Sequence, residues 1–370
     1  MLNKEFNSLS SKPTDFCDCS TEQCSVTFLN QDEIDTLEYF IHTKEAFSPA
    51  QKIAFDQLQK NYRHIYGLDF QSMGVKHEMQ SIEVNNYAIC LQSFLLPAEN
   101  SLKGVKKVEG NILLIHGYCD HAGILNHLIE DGLKANFNVF TIDLPGHGLS
   151  SGEPAGINDF CDYQPVLACA IETVENIYNA PLHVIGHSTG ASIIVSKVLL
   201  TKYDNSQIKS FVLLSPLVRT NNFILAKKIY ERARKMGKKN SPSVPQYDCH
   251  NSQYIAFAQM DSLQKKTVTA SWFGSLINWL PTIESATPAH CPNILIVTGE
   301  KDKIVDNEYN LSLLSEKMRG ATFKIIEGGG HHLPNESHDE VNPIRDNAFK
   351  EIKDFIKRPP CLIDSSTPDC

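Results

Sequence analysis

The chain has 370 residues, of which 42% are hydrophobic and 21% are charged, and its formal net charge is -9. This composition is typical of a globular protein with enough apolar residues for a large core. The negative charge argues against nucleic acid as a general partner. The 11 cysteines are odd in number and scattered along the chain, which favours free thiols in a reducing compartment over a disulfide framework.

The first residues, MLNKEFNSLSSKPTDF, contain no apolar segment of the signal-peptide type. No apolar run is long enough to span a bilayer, so we expect a soluble, cytoplasmic protein. Residues 1–30 are polar and are expected to be poorly ordered. Cys17, Cys19 and Cys24 cluster there, but no fourth ligand is close in sequence. Free thiols are therefore favoured over a metal site, and no metal is predicted.

Hydrophobic periodicity predicts two helices at 32–42 and 49–66, followed by strands that alternate with helices. The predicted strands are 75–84, 87–96, 111–115, 138–142, 182–185, 208–214, 293–297 and 322–326. Further helices are predicted at 122–135, 159–178, 191–200, 306–319 and about 342–356. Alternation of this kind indicates a mostly parallel sheet covered by helices on both faces.

The alternation stops between Pro216 and Pro288, which predicts an insertion over the C-terminal edge of the sheet, where such sheets bind ligands. The expected organisation therefore has three parts. Residues 1–70 form a polar N-terminal segment with accessory helices. Residues 71–358 form the main α/β domain with a cap insertion at about 217–288, and residues 359–370 form a C-terminal tail.

Gly186-His187-Ser188-Thr189-Gly190 lies between the strand at 182–185 and the helix at 191–200. A serine with glycine two residues before and two residues after it is the nucleophile-elbow pattern. An abrupt strand-to-helix turn strains the serine backbone and leaves no room for side chains at the two flanking positions. Ser188 is therefore the candidate nucleophile.

A serine nucleophile needs a base, and the base needs an orienting acid, in the chain order serine, acid, histidine. The loop TGEKD follows the strand at 293–297 and makes Asp302 the candidate acid. Asp306 and Glu300 are alternatives, although Asp306 is better suited to capping the next helix. The glycine-rich loop after the last strand makes His331 the candidate base, with His332 as the alternative.

Two backbone N–H groups are needed to stabilise a tetrahedral oxyanion. One should come from the residue after the nucleophile and one from the loop after the strand at 111–115. These positions are occupied by Thr189 and Tyr118.

The segments ILLIHGYCDHAG, TIDLPGHGLSSG, VIGHSTGAS, VTGEKDKIV and GGGHHLPNE occur in the order seen in one group of α/β-hydrolases. From about residue 80 to residue 356 the chain resembles the monoacylglycerol lipase and lysophospholipase L2 group. The resemblance implies an α/β-hydrolase fold with a helical cap and a cofactor-free serine hydrolase acting on a lipid-like ester. It assigns the nucleophile, acid, base and oxyanion donors to Ser188, Asp302, His331, Tyr118 and Thr189.

The resemblance also gives structural roles to Asp120, His121, Asp143 and His147. The implied substrate is a single-chain lipid ester, either a lysophospholipid or a monoacylglycerol. Three other functions remain open on the same fold: a peptidase, an acyltransferase, and a ligand-binding module without catalytic activity. The sequence does not determine the oligomeric state.

Two stretches of the insertion have a composition of their own. Residues 223–239 form a basic amphipathic helix with an apolar stripe at Leu225, Ile229, Ala233 and Met236. It is suited either to resting on an anionic membrane surface or to packing this stripe on the core.

Residues 272–280 contain both tryptophans, and Trp272, Leu276 and Trp279 share one helix face. These three are expected to line an acyl pocket beneath a lid, with core packing as the alternative.

Overall fold

The computed structural model describes residues 27–97, 107–201, 208–237, 240–241, 247–338, 341 and 343–358. The expectations for residues 1–26, including the three clustered cysteines, and for the tail from residue 359 lie outside these ranges. The predicted domain limits at about residues 70, 217, 288 and 358 stay predictions.

One eight-stranded sheet forms the centre of the described chain. Its strands are β1 (Lys76–Val84), β2 (Tyr87–Leu95), β3 (Gly110–Ile115), β4 (Phe137–Ile142), β5 (Leu182–His187), β6 (Ile208–Leu214), β7 (Ile294–Gly299) and β8 (Thr322–Ile326). The order across the sheet is β1-β2-β4-β3-β5-β6-β7-β8. β2 pairs antiparallel with β1 and β4, and all pairs from β4 to β8 are parallel. The expectation of a mostly parallel sheet is confirmed.

Most helices fall within the predicted segments, although α3 and α4 begin four residues later than predicted and α7 was not predicted. They are α1 (Gln31–His42), α2 (Pro49–Ile65), α3 (Asn126–Lys134), α4 (Tyr163–Ile177), α5 (Thr189–Leu200), α6 (Phe223–Lys235), α7 (Ser252–Met260), α8 (Ala270–Glu284), α9 (Asn307–Lys317) and α10 (Ile344–Ile356). α6 ends before residue 239, because Gly237 adopts a φ of 73°, the left-handed conformation that commonly ends helices. α9 ends before residue 319, because Met318–Arg319 pairs with Ala289–His290.

The central strands are buried on both faces, with successive side chains entering two different hydrophobic cores. In β3, Ile112 and Leu114 join the core formed with α1, α2, α3 and α10. Leu113 and Ile115 join the core formed with α4, α5, α8 and α9. This two-residue alternation follows from strand geometry. It explains why the strands read as continuous apolar runs.

The N-terminal helices are part of this packing. Leu37 of α1 and Tyr62 of α2 are fully buried and belong to the same core as β3. The Tyr62 hydroxyl also accepts a hydrogen bond from the Gln92 side chain of β2 at 2.9 Å. α2 begins with a capping box at Ser48, which satisfies backbone N–H groups of its first turn.

The described ranges contain no helix that is both long and apolar enough to cross a membrane. In the same ranges, no three His, Cys, Asp or Glu side chains converge closely enough to hold a metal ion.

Candidate active site

Ser188 lies at the turn between the end of β5 and the start of α5. Its backbone has φ 52° and ψ -110°, a region that residues with a Cβ atom rarely occupy. A Cβ atom on Gly186 would overlap the backbone of Gly190, and one on Gly190 would overlap the carbonyl oxygen of Ile115. The steric reason for both glycines is therefore confirmed.

The structure brings three of the predicted residues together in one line. His331 Nε2 lies 3.0 Å from Ser188 Oγ, and His331 Nδ1 lies 2.7 Å from Asp302 Oδ2. The other carboxylate oxygen of Asp302 accepts the backbone N–H groups of Ile304 and Val305 at 2.9 and 3.1 Å. The carboxylate is thus held in a fixed orientation, and the imidazole can accept a proton from the serine hydroxyl.

The electrostatics of this line favour a charged acid and a chargeable base. Burial by itself lowers the pKa of His331, but the carboxylate of Asp302 holds that pKa above its ordinary value. Burial by itself raises the pKa of Asp302, but the imidazole and the two backbone donors hold that pKa below its ordinary value. An imidazolium that forms beside Asp302 is therefore stabilised where water is excluded.

The alternative candidates make other contacts. Asp306 accepts the N–H of Tyr309 at the start of α9 and pairs with Arg219, so its predicted capping role is confirmed. Glu300 accepts the N–H of Gly328. His332 is buried among aromatic rings, and burial lowers its pKa to about 3.

Asp248 is a site residue that the sequence does not predict. Its carboxylate accepts the N–H of Lys303 at 2.8 Å and the N–H of His331 at 3.2 Å, so it links the loop of the acid to the loop of the base. Its carbonyl oxygen also accepts the N–H of His332 at 3.1 Å. No local pattern marks Asp248, because its partners are more than 50 residues away in the chain.

Glu336 was also missed as a site residue, although it lies in the motif GGGHHLPNE. Its side chain is fully buried and accepts the N–H groups of Gly330 and His250, each at 2.8 Å. It therefore fastens both the histidine loop and the segment that carries Asp248.

The two predicted oxyanion donors lie in segments next to the nucleophile. Thr189 follows Ser188 directly, and a Cβ atom on Gly117, the neighbour of Tyr118, would lie 3.2 Å from Ser188 Cβ. Among the described residues, neither the Tyr118 N–H nor the Thr189 N–H donates a backbone hydrogen bond. Both N–H groups remain available to a ligand beside the serine.

The tryptophans of α8 occupy two different environments. The Trp272 ring is stacked on Tyr118, with centroids 3.6 Å apart and planes 12° apart. The Trp279 ring packs 4.6 Å from Phe160, and its indole N–H donates to Ser196 of α5 at 2.7 Å. Trp272 therefore contacts the oxyanion loop, whereas Trp279 joins the cap to the helical layer below it.

Leu276, between the two tryptophans, is fully buried in the same core. The role of Trp272, Leu276 and Trp279 in substrate binding stays a prediction.

Comparison with known proteins agrees with the fold. The family model Hydrolase_4, described as serine aminopeptidase, S33, matches residues 106–338. A monoglyceride lipase homolog of Monkeypox virus is 26% identical over 255 residues, which is 66% of this chain and 88% of that protein. Phospholipase YtpA of Bacillus subtilis is 26% identical over 256 residues, covering 66% of this chain and 93% of its own.

Among solved structures, a soluble variant of monoglyceride lipase from Saccharomyces cerevisiae superimposes with a TM-score of 0.64 at 18% identity. The superposition covers 76% of this chain and 95% of the yeast chain, which shows a common fold. Since the family model covers more than half of the chain, the protein belongs to the Hydrolase_4 family and is a lipase/esterase-type serine hydrolase with the α/β-hydrolase fold.

Proposed function

We propose that the protein hydrolyses single-chain lipid esters, a monoacylglycerol or a lysophospholipid, through a Ser188–His331–Asp302 triad. The observation that carries the proposal is the unbroken line of contacts from Asp302 through His331 to Ser188 Oγ. The relatives named as monoglyceride lipase homolog and phospholipase support an acyl ester as the substrate class.

In the first half-reaction, His331 Nε2 takes the Ser188 hydroxyl proton while Oγ attacks the ester carbonyl carbon. The N–H groups of Tyr118 and Thr189 stabilise the oxyanion of the tetrahedral intermediate. As the intermediate collapses, the imidazolium passes its proton to the leaving alcohol oxygen, and an acyl-serine remains. Asp302 stabilises the imidazolium in each step, and its carboxylate stays ionised.

In the second half-reaction, His331 takes a proton from water, whose oxygen attacks the acyl-serine carbonyl. The second tetrahedral intermediate releases Ser188, whose Oγ regains a proton from the imidazolium, and the carboxylic acid leaves. No redox partner or cofactor is required by either half-reaction.

A fluorophosphonate probe tests the proposal directly, because it phosphonylates only an activated serine. We expect labelling and ester hydrolysis in the unmodified protein and neither in the folded variant Ser188→Ala. His331→Ala should lower kcat by at least about 10³-fold, and His332→Ala by much less. Full activity of His331→Ala with an inactive His332→Ala would assign the base to His332 instead.

A substrate panel separates the remaining activities of this fold. Monoacylglycerols and lysophospholipids are compared with aminoacyl arylamides, since the matching family model carries a serine aminopeptidase description. A preference for the aminoacyl substrates would indicate a peptidase and contradict the esterase proposal. Acyl transfer to an added alcohol in preference to water would indicate an acyltransferase, and the absence of any turnover or labelling would indicate a ligand-binding module.

We also propose that α6 contacts an anionic membrane surface through its outer face. On its inner face, Phe223 and Tyr230 pack against Phe273 of α8, with ring centroids 6.2 and 5.6 Å apart. The predicted apolar stripe does not pack on the core. Large apolar side chains are instead 58–66% exposed at Ile224, Leu225, Ile229 and Met236.

Charge complementarity identifies the surface that α6 would meet. In a chain of net charge -9, this helix carries a cluster of basic side chains: Lys227, Lys228, Arg232, Arg234 and Lys235. A basic helix with exposed apolar residues is suited to the interface of an anionic bilayer. Because α6 packs on α8, whose Trp272 contacts the oxyanion loop, docking there would bring the candidate site close to a lipid source.

A further inference from the structure

The oxyanion loop is bound residue by residue by one segment of the cap. We call residues 261–269 the clamp segment. Each loop residue from Tyr118 to His121 has at least one hydrogen-bond partner in it, with the chains running in opposite directions. The pairs are Tyr118 with Thr269 at 3.0 Å, Cys119 with Lys265 at 3.0 Å, Asp120 with Gln264 at 2.8 Å and His121 with Asp261 at 2.7 Å.

Asp261, at the end of the clamp segment, is fully buried together with His121. The ring nitrogen Nδ1 of His121 accepts the N–H of Gly123 at 3.1 Å, which leaves the Nε2 N–H to donate to Asp261 Oδ2. Burial by itself raises the pKa of Asp261, but His121 and the hydrogen bonds hold that pKa below its ordinary value. An ionised carboxylate therefore anchors the loop from inside the protein.

The second anchor of Asp261 comes from the N-terminal helices. Tyr66 directly follows α2, and its hydroxyl donates a hydrogen bond to Asp261 Oδ1 at 2.7 Å. The Tyr66 ring also packs edge-on against the His121 ring, with centroids 4.8 Å apart. A Cβ atom on Gly123 would lie 2.8 Å from the Tyr66 ring, so the backbone after the oxyanion loop lies directly against this tyrosine.

Tyr66 lies outside the residues that the family model matches, which begin at residue 106. The contact therefore gives the N-terminal helices a link to the oxyanion loop that the family match does not include. An oxyanion donor acts only when it is aimed at the position where negative charge develops. Any freedom of the loop reduces the time that the Tyr118 N–H spends in that orientation.

From these contacts we infer that Tyr66 and Asp261 are positioning residues for the oxyanion loop. Through them the N-terminal helix α2 holds the Tyr118 N–H in the orientation that catalysis requires. The inference rests on the proposed function, because it concerns the same site. It assigns the N-terminal helices a part in transition-state stabilisation in addition to core packing.

The kinetic test compares two buried tyrosines of the same helical segment. Tyr66→Phe removes only the hydroxyl that reaches Asp261. Tyr62→Phe is the matched control, because its hydroxyl bonds Gln92 of β2 instead of the clamp segment. We expect Tyr66→Phe to lower kcat about tenfold with little change in KM, less than the ~10²–10³-fold cost of removing a whole donor. Tyr62→Phe should lower the melting temperature while kcat stays within about twofold of the unmodified protein.

A boronic acid that mimics the tetrahedral intermediate should bind Tyr66→Phe more weakly, in parallel with the fall in kcat. Its affinity for Tyr62→Phe should be unchanged. Equal kcat in the two variants, whether both are lowered or both are unchanged, would overturn the inference. It would also be overturned if KM rose and kcat were unaffected in Tyr66→Phe, since that pattern indicates altered ground-state binding.

Amide hydrogen exchange gives a readout that does not depend on activity. Peptides that cover residues 117–125 should exchange faster in Tyr66→Phe than in the unmodified protein, and at an unchanged rate in Tyr62→Phe. An unchanged exchange rate in Tyr66→Phe would overturn the inference even if the protein is an active esterase. If the unmodified protein hydrolyses no ester, the proposed function fails, and the exchange result alone still decides whether Tyr66 orders the loop.

Discussion

The Nδ1 atom of His331 lies 2.7 Å from a carboxylate oxygen of Asp302, and this contact directs the opposite ring nitrogen at Ser188. An N–H on Nδ1 leaves Nε2 with a lone pair, which is the tautomer that a general base needs. The other oxygen of Asp302 is held by two backbone N–H groups. The carboxylate therefore sets both the tautomer and the orientation of the imidazole.

Asp302→Asn is expected to lower kcat by about 10³–10⁴-fold, because an amide can donate to Nδ1 and stabilise the wrong tautomer. Steady-state kinetics and the melting temperature are measured on the same preparation. Asp306→Asn is the control, since Asp306 caps α9, and kcat should stay close to that of the unmodified protein. A large loss of kcat in Asp306→Asn, together with an unchanged kcat in Asp302→Asn, would assign the role of the acid to Asp306.

The pH dependence of kcat/KM should report the environment of His331. The base must be neutral to accept a proton, so activity rises with pH through its pKa. The Asp302 carboxylate holds that pKa above the ordinary value of 6.5, so the midpoint of the acid limb should lie above pH 6.5. In Asp302→Asn the carboxylate is gone while burial remains, so the midpoint should shift to lower pH. A wild-type midpoint well below 6.5 would contradict the assigned base.

Trp272→Ala should raise KM for long-chain esters more than for short ones. If Trp272 lines the path of the acyl chain, each methylene it covers contributes about 0.8 kcal/mol to binding. The measurement is the ratio of kcat/KM for long over short esters, in variants shown to be folded. Trp279→Ala, measured in the same way, tests whether that side chain shares the role. An unchanged ratio in Trp272→Ala would assign Trp272 to core packing alone.

Neutralising the basic face of α6 should weaken vesicle binding. A variant with Lys227, Lys228, Arg232 and Arg234 changed to Gln is tested by co-sedimentation with vesicles that contain anionic lipid. The loss should be largest at low salt, because salt screens surface charge. Hydrolysis of a short water-soluble ester should be unchanged.

A matched control for α6 changes three exposed lysines to Gln, namely Lys350 and Lys353 of α10 and Lys357 directly after it. This variant loses nearly as much charge but should bind vesicles as the unmodified protein does. Equal losses in both variants would indicate a general charge effect instead of docking through α6.

Features that depend on local sterics and strand periodicity can be predicted from the sequence. The elbow at Ser188 can be predicted because the close backbone contacts of the turn require glycine at positions 186 and 190. The buried strands can be predicted because both of their faces are covered. In a parallel sheet, the loops that follow β7 and β8 must then meet at one edge. Asp302 and His331 could therefore be chosen from their positions after those strands.

The contacts that hold these loops in place form between segments that are distant in the chain. Asp248 meets His331 across 83 residues of chain, and Tyr66 meets Asp261 across 195 residues. Contacts of this length leave no periodic or spacing signal, because each partner is a single polar residue in an otherwise ordinary segment. The choice between His331 and His332 also depended on ring direction, which is set by packing around the loop and not by the order of two identical residues.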